Sequence, residues 1–155
     1  MAAIKIWRTF GVLALLISAV QPVSVCSGDD YTSQAAAANR PGLVIVVRGL
    51  AGYWPGCNAF CQKVRQYGEQ VVPYTPSAAV AYAPEIAAEV QTGRWSHLRI
   101  VGYSNGGGAA IELARELRRY GIEVERLILI EATRPGDVPD NVRYCFNIYE
   151  SRPRT

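Results

Sequence analysis

The sequence predicts an α/β fold, a three-layer sandwich on a mostly parallel sheet of about five strands. Three observations carry that expectation. Leu43-Val44-Ile45-Val46-Val47 is an unbroken apolar run, mostly β-branched, which suits a strand covered on both faces rather than one that alternates between core and water. Further apolar runs follow at Val71–Tyr74, Leu98–Tyr103, Val124–Ile130 and Val142–Tyr149. Between them lie segments with helical spacing that stop at Gly68, Gly93 and Gly121, the residue type that most readily ends a helix.

Each element follows in order. Residues 1–27 have the pattern of an export signal: Lys5 and Arg8, an apolar stretch from Phe10 to Val20, then small and polar residues to Ser27. Eleven apolar residues are too few to span a bilayer. Val23-Ser24-Val25-Cys26 also resembles a bacterial lipoprotein signal, which would place a lipid anchor on Cys26. The expected location is therefore outside the cytoplasm, periplasmic or secreted with no membrane span after signal removal, the alternative being a chain held at the membrane by an uncleaved signal or a lipidated Cys26. Residues 28–41 are polar and alanine-rich and are expected to be a linker. The domain runs from residue 42 to 150, and residues 151–155 form a polar tail.

Within the domain, Gly56 to Tyr67 has helical spacing through Phe60, Val64 and Tyr67. In the strand at Val71–Tyr74, Pro73 lacks a ladder donor and favours an edge or a terminal position. A helix is expected from about Pro84 to Thr92, and another from Asn105 to Tyr120.

Composition narrows the function classes. Half of the 155 residues are apolar, enough for one core and too few for two. The formal charge is +3 and the basic residues are scattered, so nothing points to nucleic acid. Export implies an oxidising compartment, where Cys57, Cys61 and Cys145 are an odd number of thiols. Cys57 and Cys61, four apart, give poor disulfide geometry on a regular helix and a weak metal signal, so the three thiols are expected to be small buried side chains with at most one bridge among them.

The chemistry centres on Gly102-Tyr103-Ser104-Asn105-Gly106, a G-x-S-x-G pentapeptide between the strand at Leu98–Tyr103 and the helix that follows. Strand, sharp turn and helix in that order are what a nucleophile elbow requires. Upstream, Arg48-Gly49-Leu50-Ala51-Gly52 closes the first strand with a glycine-bearing loop, and both features fall at strand carboxyl ends, where parallel sheets bind ligands. The spacing Gly102, Gly106 and Gly108 also fits a phosphate loop of short-chain dehydrogenases, but no tyrosine has a lysine four residues on and no Gly-Lys-Ser or Gly-Lys-Thr occurs.

Together these two signatures, spread over residues 42–149, make the chain resemble the α/β-hydrolase family. The resemblance implies a serine esterase, lipase or thioesterase without metal or cofactor, acting on a small ester or thioester. It implies Ser104 as nucleophile and the N–H groups of Leu50 and Asn105 as the oxyanion hole. The acid would be Glu131, which closes the run Leu127–Ile130, with Asp137 and Asp140 as rivals. Tyr53 and Trp54 would line an acyl pocket or pack in the core.

The sequence departs from that family at two points. Arg48 stands where many members carry histidine, and is expected to pair with a carboxylate or to face solvent. The one histidine, His97, precedes Ser104, and seven residues of extended chain, roughly 23 Å, separate the two. A base that follows the acid in chain order is absent from this sequence, which has the pattern of a truncated member. The alternative is a non-catalytic exported protein that retains the fold for binding.

Overall fold

The computed structural model describes residues 40–149. The export signal, nearly all of the linker and the polar tail lie outside the described residues.

Five strands form one sheet: β1 (Leu43–Val47), β2 (Gln70–Tyr74), β3 (Leu98–Tyr103), β4 (Val124–Ile130) and β5 (Val142–Ile148). Their order is β2-β1-β3-β4-β5, and every neighbouring pair is parallel. The expected α/β sandwich is what forms. The helices are α1 (Cys57–Gln66), α2 (Pro76–Ala81), α3 (Ala83–Gln91) and α4 (Gly106–Arg118).

Two cores lie on the two faces of the sheet. Ile45, Val47, Ile100, Leu127 and Leu129 point to one face, where they meet Ala79, Ala83 and Ile86 of α2 and α3 and Ile111, Leu113, Ala114 and Leu117 of α4. Val44, Val46, Val71 and Val101 point to the other, where α1 supplies Cys57, Cys61, Phe60 and Val64. All five residues of β1 are buried, because β1 is central and has helices on both sides. This is the physical reason for its unbroken apolar run.

One helix was not legible. The sequence pattern places a single helix from about Pro84, whereas α2 already starts at Pro76 and the chain re-enters α3 at Ala83. Pro84 has no N–H to give the Val80 carbonyl, so one continuous helix cannot run through it. Pro73 does lie on an edge strand, as its missing donor requires.

The three cysteines among the described residues are free. Cys57 and Cys61 are buried with their sulfurs 3.9 Å apart, and Cys145 is exposed. Burial pushes the Cys57 thiol up to about 11, and Cys61 beside it adds to the rise. No helix among the described residues is long and apolar enough to cross a membrane.

Candidate active site

The register of the sheet brings three strand exits level. Val47 pairs with Gly102, Tyr103 with Ile130, and Ile130 with Ile148. The first residue past each of three strands is then tied to the end of its neighbour: Arg48 N–H donates to Tyr74 O (3.0 Å), Ser104 N–H to Ile130 O (2.8 Å), and Glu131 N–H to Ile148 O (2.8 Å). Ser104 and Glu131 are thus neighbours along the carboxyl edge.

Backbone strain gathers at the same edge. Among the described residues, three without a glycine's freedom have left-handed backbone: Ala51 (φ 51°), Ser104 (φ 52°) and Glu131 (φ 51°). Each such residue costs on the order of 1–3 kcal/mol and persists only where its surroundings hold it. For Ser104 the hold is visible: besides its N–H bond to Ile130, its carbonyl accepts from Gly107 N–H at 3.0 Å and Thr133 N–H at 3.4 Å.

Glycines make room for that turn. A Cβ on Gly102 would stand 2.8 Å from Gly106 O and from Gly107 Cα, and one on Gly107 would stand 2.5 Å from Ala132 Cβ. A Cβ on Gly106 would collide with the carbonyl oxygens of Arg48 and Val47. The start of α4 therefore lies directly on the exit of β1. A Cβ on Gly49 would meet Ser104 Cβ at 3.5 Å, so the loop after β1 abuts the serine.

That loop is a single tight turn, closed by Gly52 N–H to Gly49 O, Tyr53 N–H to Leu50 O and Gly49 N–H to Tyr53 O. Neither the Leu50 nor the Asn105 N–H takes part in the backbone hydrogen bonds that close the two turns. The Leu50 side chain is exposed, as is that of Tyr53. Trp54 is half-buried: its ring stacks on Tyr103 at 5.0 Å and leans on Phe60 at 5.2 Å. Those contacts set Trp54 beside the residue that precedes Ser104.

The rival acids are elsewhere. Asp140 accepts a hydrogen bond from Arg118 at the end of α4, and the next residue's carbonyl accepts from Val124 N–H at the start of β4. That is the amino edge of the sheet. The Asp137 carbonyl accepts a hydrogen bond from the Arg115 side chain, in the second half of α4. Glu131 is the acid at the serine's edge.

His97 also stands at the amino edge. Its Nε2 is 3.2 Å from Glu69 and its Nδ1 2.9 Å from Ser96 Oγ, while Arg99 bridges Glu69 and Glu125 at 2.8 Å each. The whole of β3 lies between it and Ser104.

Arg48 fits neither expectation. It is half-buried, its Nε is buried without a hydrogen-bond partner among the described residues, and its guanidinium lies beside Gly52. Nothing in the sequence marks that burial, because the turn that covers the side chain is made by residues after it.

The geometry defines a parallel α/β sandwich with a serine on a strained strand-to-helix turn. Compared with known proteins, the chain matches no family model, no curated protein and no solved structure.

Proposed function

We propose that the chain is a serine hydrolase of the α/β-hydrolase type, exported from the cytoplasm and acting on a carboxylic ester or thioester. The left-handed backbone of Ser104, wedged between the first loop and α4, is the observation that carries this reading. Strain of this kind aims a hydroxyl out of the sheet, and it collects at sites that use it. Ser104 Oγ attacks the carbonyl carbon, and the N–H groups of Leu50 and Asn105 take the charge that develops on oxygen. The carbon–oxygen or carbon–sulfur bond to the leaving group breaks, and water then releases the acid from the serine ester.

Among the described residues no histidine stands at the serine's edge, so in this chain the hydroxyl proton passes to solvent. Loss of a triad base typically lowers kcat by about 10⁴ to 10⁶, while about 10³ to 10⁴ over water survives from the oxyanion hole and binding. Turnover is accordingly slow and rises with hydroxide concentration. The position of His97 at the far edge favours a second reading, a non-catalytic protein that retains the fold.

A fluorophosphonate probe separates the two. Slow labelling of the full chain, abolished by Ser104→Ala and untouched by His97→Asn, is the result expected. Folded protein that takes no label would leave the non-catalytic reading.

A further inference from the structure

We propose that Arg48 selects the substrate by binding a carboxylate that the ester or thioester carries, so that the preferred substrate is a monoanion such as the half-ester of a dicarboxylic acid. The inference rests on the reading of Ser104 as a nucleophile and names the class of molecule that reaches it. Arg48 is the first residue past β1. Its N–H donates to Tyr74 O at 3.0 Å, its carbonyl lies against Gly106 at the start of α4, and the next residue, Gly49, abuts Ser104.

The side chain lies on the α1 side of the sheet. Val44 and Val46 point to that face and alternation carries Arg48 to it as well; its charge reaches Cys57, the first residue of α1, and works against the rise that burial imposes on the thiol. On the way the guanidinium packs against the turn after β1. A Cβ on Gly52 would stand 3.8 Å from Arg48 Cζ and 4.0 Å from its Nε. The same turn carries the Leu50 N–H, and Trp54 beyond it stacks on Tyr103, the neighbour of Ser104. One loop thus places a cation beside the edge where the ester carbonyl would bind.

That cation has no counterion. Its Nε is buried without a hydrogen-bond partner, and no hydrogen bond or ion pair holds the rest of the guanidinium among the described residues. A snorkelling arginine keeps its whole head in water, whereas here Nε is shut away. Residues 40–68, 70–84 and 98–111, which supply the exits of β1, β2 and β3, contain no aspartate or glutamate. Glu131, the acid at this edge, stands at the exit of β4, two strands from Arg48. Arginine carries its charge throughout, and a partly buried charge left unpaired is costly until an anion meets it. Parallel sheets take their ligands at this end. One planar fork matches one carboxylate in charge and in shape, while a phosphate monoester, with nearly two charges, asks for a second cation. The other cations between β1 and β2 are engaged elsewhere: Arg65 donates to Val71 O, and Lys63 lies over the Tyr67 ring.

The test is calorimetric titration of the full chain carrying Ser104→Ala, which allows binding without turnover, with monomethyl succinate and with dimethyl succinate. The half-ester should bind at least about tenfold more tightly than the diester, as a charge-assisted hydrogen bond provides. Arg48→Gln should erase that preference, and Arg48→Lys, which keeps the charge and loses the fork, should restore part of it. Should Arg48→Gln not fold, competition without that substitution serves: acetate should displace the half-ester, and neutral N-methylacetamide should not. Equal affinity for the two esters overturns the proposal, as does a preference that survives Arg48→Gln. Methyl phosphate displacing the half-ester better than acetate does would overturn the choice of a carboxylate. A half-ester preference in a chain whose Ser104 takes no fluorophosphonate supports the subsite and overturns the hydrolase reading alone.

Discussion

Gly106 and Gly108 are two positions apart on one helix and face opposite demands. A methyl on Gly106 runs into two backbone carbonyls of the β1 exit, which cannot yield, whereas the nearest atom to a methyl on Gly108 is Arg134 O at 3.8 Å. Gly106→Ala should therefore cost about 3 kcal/mol or more, as overpacking against backbone does. Gly108→Ala should be neutral or stabilise by up to about 1 kcal/mol, since alanine is the better helix former. Urea unfolding of the two variants checks the contrast. The elbow could be read from the sequence because G-x-S-x-G places small residues where the turn is crowded. The strain at Ala51 and Glu131 could not, since neither residue type marks a left-handed backbone.

The strands were the legible elements. β1, β3 and β4 span the residues the sequence assigns to them, and in β1 burial on both faces writes itself into five consecutive apolar residues. α2 leaves no such mark, as Ser77 to Ala81 are mostly alanines with no apolar stripe, and packing beside α4 makes them helical. α1 shows its burial through its thiols. With the Cys57 thiol raised to about 11, maleimide near pH 8 should label Cys145 in the folded chain and reach Cys57 and Cys61 only after unfolding, as peptide mass spectrometry would report. The stability that goes with a neutral Cys57 is present below the ordinary thiol value of about 8.5 and is lost as pH rises toward 11.

For the molecule as a whole, the two ends of the sheet have separate duties. The carboxyl edge holds the strained serine, and the amino edge holds a charge cluster of Glu69, His97, Arg99 and Glu125. Burial works to raise the Glu125 carboxyl, but the Arg99 hydrogen bond and charge, with His97 and Arg126, outweigh it and hold the group below its ordinary value. A carboxyl depressed in the fold stabilises above its unfolded value, about 4.3, and that contribution is lost as pH falls through the folded value. Glu125→Gln should melt below the wild type at pH 7, and the gap should close on acidification. Pro73, finally, blunts the outer edge of β2. Tyr74 turns its carbonyl to Arg48 at the exit of β1, and direction alternates along a strand, so Pro73 faces away from β1 and has no N–H to offer there. Pro73→Val would restore a donor on that edge, and light scattering from the concentrated variant should exceed that of the wild type.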